Sequence, residues 1–145
     1  MEHTDRQKEN TSTKTHGKNL VGSVMVLGGG IAGMQASLDL ADSGYYVHLV
    51  EKSPAIGGVM AQLDKTFPTN DCSMCMLAPK LNECDRHPNI QILASTEIEQ
   101  LEGEPGRFLA TLVQRPRYVD PDRCTACATC TAYCPASIND VYNEG

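Results

Sequence analysis

The sequence has no stretch approaching the length of a membrane span, and its opening MEHTDRQKENTSTKTHGKNL is polar, without the apolar h-region of a secretory signal. Neither a membrane-embedded nor a Sec-exported chain is therefore expected, and residues 1–20 read as a flexible leader of a cytoplasmic protein. Lysine and arginine form no stripe, and the formal net charge is -6, so a nucleic-acid partner has little support. No charge run is long enough to act as a tail, and there is no internal repeat. Low complexity is confined to the leader. What the sequence does hold is seven cysteines, an odd number, four of them at two- and three-residue gaps. That spacing fits metal ligation better than a disulfide framework and points to a reducing compartment.

A chain of 145 residues with 41% hydrophobic content can build one ordinary domain, or a small domain with an appendage. VGSVMVL, ending at Leu27, reads as a buried strand entering a glycine turn. From Ile31, apolar residues recur at Met34, Leu38 and Ala41, the steps of one helix face, and Gly44 stands where a left-handed cap belongs. YYVHLV, Tyr45 to Val50, reads as a second strand ending at Glu51 and completes a right-handed βαβ unit. IQIL from Ile90 is a third parallel strand, and STEIEQLEGEPGRFLATLVQ alternates as a hairpin or meander around Gly103 to Gly106. The segment between Glu51 and Ile90 is expected to be part helical. Beyond Arg117 the apolar pattern fades, giving an incomplete Rossmann-like α/β domain over 21–117 and a second module over 118–145.

The turn VLGGGIAG places Gly28, Gly30 and Gly33 in a GxGxxG pattern between strand and helix. The first glycine permits the turn, the second lets a pyrophosphate reach the backbone, and the third lets helix pack on strand. Phosphates would meet the positive end of the helix dipole. Glu51, 23 residues after Gly28, can accept hydrogen bonds from a ribose diol and disfavours the 2'-phosphate of NADP. A glycine-rich turn beside a solvated acid is the plain alternative. In EKSPAIGG, the acid, Lys52 and the pair Gly57 and Gly58 resemble the second FAD-contacting segment of flavoproteins of the glutathione-reductase and thioredoxin-reductase type. That resemblance favours FAD over NAD; an ordinary loop glycine pair is the alternative.

In CTACATCTAYCP, Cys124, Cys127, Cys130 and Cys134, followed by Pro135, match the bacterial ferredoxin run CxxCxxCxxxCP and are expected to ligate a [4Fe-4S] cluster. Zinc is the competing metal, though its sites usually come as two separated CxxC pairs. In two-cluster ferredoxins the fourth cysteine serves the other cluster, whose own run supplies the missing ligand. This chain has no second run. Either Cys134 closes the same cluster, or a remote cysteine is recruited, or the sequence is the front part of a longer polypeptide, which is the preferred expectation.

A third constellation, TNDCSMCMLAPKLNECDRH, holds Cys72, Cys75 and Cys84. Three readings stay open: a redox dithiol exchanging electrons with flavin, ligands of another iron-sulfur centre, or structural thiols. Cys84 is the most easily read as a small buried hydrophobe. His87 reads as a solvated loop residue and His48 as a strand residue, neither as a ligand.

The succession GGGIAG, EKSPAIGGVMAQLDKTFPTNDCSMCMLAPK, HPNIQIL, a meander and RYVDPDRCTACATCTAYCP resembles the N-terminal region of the A subunits of the heterodisulfide reductases. The resemblance runs from Val21 to Pro135. It implies a thioredoxin-reductase-type flavoprotein with an inserted ferredoxin-like module, binding FAD and [4Fe-4S] clusters. It also implies partner subunits of a disulfide-reducing complex, with a hydrogenase or ferredoxin among the candidates, in methanogenesis or anaerobic sulfur metabolism. Such a flavoprotein returns after its insert to complete the FAD domain, whereas this sequence stops at Gly145, so a wall for the flavin and electron bifurcation are not assigned to it. The expected function is electron relay between FAD and clusters, as part of an oxidoreductase. A ferredoxin-like carrier without flavin, a dithiol reductase using Cys72 and Cys75, and an inactive truncated product are the alternatives.

Overall fold

The computed structural model describes residues 20–120 and 122–136. The expected leader falls almost wholly outside them, as does the end of the second module. Two compact units part between Arg115 and Pro116.

The first unit begins with three parallel strands, β1 (Gly22–Leu27), β2 (Tyr45–Val50) and β3 (Ile90–Leu93), in the order β1-β2-β3. The register pairs Val24 with Val47 and Val47 with Ile90. Between β1 and β2 runs helix α1 (Ile31–Asp42), and before β3 runs α2 (Ser73–Arg86). As the central strand, β2 buries Tyr46, Val47, Leu49 and Val50, which is why its sequence is nearly continuous in apolar residues instead of alternating. Against it α1 sets Met34, Leu38 and Ala41, and α2 sets Leu77 and Cys84; together with Ile90 these form the core. Ile31, the first residue of the predicted apolar face, stays at the surface. The buried polar member of α1, Ser37, donates its hydroxyl to the Gly33 carbonyl at 2.7 Å, the back-bond that makes its burial tolerable. Gly44 ends the helix as its sequence predicts, at φ 92°, with its N–H on the Ala41 carbonyl at 3.0 Å.

Strands β4 (Thr96–Glu104) and β5 (Arg107–Gln114) form an antiparallel hairpin across Pro105 and Gly106, with a register shift between Ile98 and Gln100. The hairpin is tied to the parallel sheet where the site lies. Thr96 N–H donates to the Glu51 carbonyl at 2.9 Å, and Ser95 N–H to the Ser53 carbonyl at 2.9 Å.

The second unit contains one short helix, α3 (Thr129–Tyr133). Every described residue from Pro116 to Ala136 is exposed. Its backbone turns at Ala126 (φ 54°) and Ala128 (φ 58°), left-handed positions between the cysteines.

Candidate functional site

The glycine turn sits where β1 ends and α1 starts, and its three patterned glycines serve three different needs. Gly28 adopts φ 100°. A Cβ on Gly33 would lie 1.8 Å from the Gly28 carbonyl oxygen, so helix and strand meet only because position 33 has no side chain. At Gly30, the N-cap of α1, a Cβ would meet nothing within 4 Å. That opening lies at the positive end of a twelve-residue helix, which is the form of a pyrophosphate cradle. On this observation the turn fits a dinucleotide.

Glu51 is fixed more tightly than a strand-end acid needs to be. It is buried, with Oε2 accepting from Gly29 N–H at 2.7 Å and Oε1 from Ser53 N–H at 2.8 Å. Burial pushes its pKa up, but the hydrogen bonds from Ser53 and Gly29, with the Lys52 charge, outweigh it and hold the carboxyl below its ordinary 4.5. The group is thus ionised at neutral pH and accepts only. Each oxygen has one N–H partner and keeps capacity for a second, the arrangement that suits two hydroxyl donors and repels a phosphate. A cavity of about 410 Å³ opens here, with Leu27, Gly28 and Val50 on one side, Glu51 and Lys52 beside them, and Thr96, Glu97 and Ile98 of β4 opposite.

Gly29, which the motif leaves unspecified, is the residue that sequence reasoning missed. A Cβ there would fall 2.6 Å from Ile56 and 3.3 Å from the Glu51 Cβ. The third glycine in the run GGG was the available signal. Gly57 and Gly58 sit against the same turn: Gly57 N–H donates to the Gly29 carbonyl at 2.7 Å, and a Cβ on Gly58 would lie 3.0 Å from the Gly30 Cα. Both glycines have positive φ, 127° and 58°. Their smallness lets one loop backbone pass directly over the other, and it places positions 28, 29, 30, 51, 57 and 58 in one cluster.

Cys72 and Cys75 lie at the start of α2 and are joined by a disulfide. Cys84, on the same helix, is fully buried with its thiol toward the Met34 carbonyl at 3.7 Å, and burial pushes its pKa up. It is a core residue, separate from the other two. His87 departs from the solvated loop residue expected: it caps α2 half-buried, accepts from Asn89 N–H at Nδ1 (3.1 Å) and faces Asp42 through Nε2 at 3.3 Å. His48 is a strand residue, as expected, against Gln91 at 3.0 Å.

Cys124, Cys127, Cys130 and Cys134 are all free and exposed. The structure does not bring them together: among the described residues no three or more His, Cys, Asp or Glu side chains converge for a metal ion. Cys127 Sγ instead contacts Thr129 Oγ1 at 3.3 Å, and Cys134 Sγ faces the Ala136 carbonyl at 3.6 Å. The hydrogen bonds at Thr129 lower the Cys127 thiol to about 7. The donor set is what fits a cluster: four soft, accessible thiols with left-handed turns at Ala126 and Ala128 letting a short loop double back.

Comparison with known proteins agrees with this division. A family described as FAD dependent oxidoreductase matches residues 23–82, and one described as 4Fe-4S binding domain matches residues 117–138. The second of two iron-sulfur A subunits of the CoB–CoM heterodisulfide reductase of Methanopyrus kandleri is 52% identical over 121 residues, covering 83% of this chain and 18% of that protein. The corresponding iron-sulfur A subunit of Methanocaldococcus jannaschii is 50% identical over 123 residues, covering 85% and 19%. The A subunit of the H2:CoB-CoM heterodisulfide,ferredoxin reductase of Methanothermobacter thermautotrophicus is 47% identical over 121 residues, covering 83% and 18%. The chain therefore spans about a fifth of the length of these relatives. Among solved structures, L-proline dehydrogenase from P. horikoshii matches with a TM-score of 0.53 at 24% identity, over 70% of this chain and 21% of that one. That likeness concerns the fold.

Proposed function

Because this chain belongs to the family of heterodisulfide reductase A subunits, we propose that it supplies the nucleotide-gripping part of an FAD site together with a [4Fe-4S] ligand run, for electron transfer in a disulfide-reducing complex. The observation that carries this reading is Glu51. Its ionised carboxylate is held by Gly29 and Ser53 beside both the glycine turn and the 410 Å³ cavity, the place where a ribose diol lies when a pyrophosphate sits on the helix.

In this reading Gly28 and Gly30 admit the pyrophosphate to the backbone, while Gly33 keeps the helix close to the strand. Glu51 accepts from the ribose hydroxyls and rejects a 2'-phosphate. Gly57 and Gly58 brace the turn from the other side, and Lys52 offers a cation at the cavity rim. Cys124, Cys127 and Cys130 hold the cluster, with Cys134 as its fourth ligand or as a ligand of a neighbouring one. Bound, the flavin supplies two-electron chemistry and the cluster one-electron chemistry, the combination an electron relay needs. Partner subunits, a hydrogenase or ferredoxin among them, and a cytoplasmic location belong to the same proposal. No helix among the described residues is long and apolar enough to cross a membrane.

The test is the iron, acid-labile sulfide and FAD content of the full chain purified anaerobically. About four irons per chain support the cluster assignment, and measurable FAD binding that a Glu51 substitution weakens supports the flavin assignment. A protein that takes up iron but shows no affinity for FAD would leave the carrier reading in its place.

A further inference from the structure

The pair at the start of α2 has features that neither nucleotide nor cluster binding uses. Cys72 is the N-cap of the helix, and its Sγ accepts from Cys75 N–H at 3.2 Å. Both residues are exposed, with Cα atoms 5.3 Å apart. The backbone around them is secured without sulfur. Ser73, fully buried, donates to the carbonyls of Leu63 and Asp64, its N–H also reaches Asp64 at 3.1 Å, and Lys65 bridges Cys72. Opening the disulfide would therefore leave α2 seated. Cys84, the nearest cysteine in sequence, faces the core from nine positions further along the helix and cannot add a third sulfur.

We propose that Cys72 and Cys75 form a reversible dithiol–disulfide couple that exchanges with external thiols, with Cys75 as the sulfur attacked and Cys72 as the leaving thiolate. An incoming thiolate forms a bond to Cys75 Sγ as the S–S bond breaks. The electron pair goes to Cys72 Sγ, which is received by the Cys75 N–H and the positive end of the helix. A second thiolate then attacks the mixed disulfide at the external sulfur, releasing the oxidised external disulfide and Cys75 thiolate. Two thiols have lost two electrons and two protons, and the protein dithiol has gained them. The polarity follows from the geometry, because a stabilised thiolate is the better leaving group.

Trypsin isolates this couple cleanly, since the peptide 66–80 contains Cys72 and Cys75 and no other cysteine. The full chain would be equilibrated anaerobically with dithiothreitol or with glutathione buffers, alkylated, digested and weighed. The expected result is a peptide that moves reversibly between zero and two alkyl groups while circular dichroism stays constant. With C75S and C72S, the remaining Cys72 should alkylate about tenfold faster at neutral pH than the remaining Cys75; serine at position 72 preserves a good N-cap, so the comparison does not rest on a damaged helix. A peptide that stays unalkylated in dithiothreitol, or a Cys75 that reacts as fast as Cys72, overturns the proposal. So does a fall in iron content in either variant, which would make the pair ligands. None of these readouts requires flavin to be bound.

Discussion

The two units reach their chemistry by opposite routes. In the first, the nucleotide-gripping atoms are placed by packing: Gly33 against the Gly28 carbonyl, Gly58 over Gly30, Glu51 bonded to Gly29, all anchored on a buried β2. In the second, every described residue is exposed and the four thiols stand apart. A preformed site spends no binding energy on organising itself, whereas ligands that must be gathered couple metal binding to folding. The contrast teaches that the flavin half should survive as a structure when the cluster half is disabled, while the reverse separation is a matter of metal alone.

The largest effect is expected where that independence is tested directly. Cys127→Ala should abolish the cluster absorbance and cut iron content, yet leave the thermal transition of the first unit unchanged. A melting curve that falls with the iron would break the contrast. The Cys127 thiol at about 7 also predicts that cluster assembly from apoprotein slows as pH falls below that value, since the thiolate is the ligand. Gly33→Ala comes next. Its methyl has backbone, not a flexible side chain, 1.8 Å away, so α1 must lift from β1; a loss of about 3 kcal/mol is expected in denaturant unfolding, at the upper end for overpacking. Flavin affinity should go with it while iron content holds.

How much of this is legible in the sequence follows the same line. The βαβ unit can be read because two periodicities, a GxGxxG turn and the Gly44 cap all report on local backbone, and local rules decide the outcome. Gly29 and the reason for Gly57 and Gly58 are hidden, because their constraint is a contact between loops nearly thirty residues apart. His87 escapes for a similar reason: its partner Asp42 is on another helix. The cysteine run declares its ligand types through spacing, but spacing cannot say whether thiols converge before a metal arrives.

Glu51→Gln is a smaller and sharper probe than Gly33→Ala. The amide can still accept from one of Gly29 and Ser53, but its NH2 confronts the other N–H, leaving a buried donor unsatisfied. A destabilisation of about 1–3 kcal/mol is expected, with weaker FAD binding. The sign of its pH dependence is fixed. A folded carboxyl held below 4.5 contributes stability that is present above that ordinary value and is lost as pH falls through the lowered one. The variant should therefore lose part of the acid sensitivity of the first unit. Acid unfolding identical to that of the parent would mean that the carboxylate is not what ties β2 to the turn.

The smallest effect is expected at Cys84, where chemistry and position point in different directions. It is a cysteine in a protein whose cysteines carry function, yet it is fully buried, its thiol faces the Met34 carbonyl, and burial disfavours its thiolate. Cys84→Ala should cost about 1 kcal/mol, the loss of one sulfur's packing in a core that also holds Met34 and Leu77. Iron and FAD content should not change. In the parent chain a thiol reagent should leave Cys84 unmodified until the first unit unfolds, so its labelling rate reports opening of the core and rises with denaturant in step with global unfolding. Rapid labelling under native conditions would show that α2 separates from α1 without unfolding, and the first unit would then be less preorganised than its packing implies.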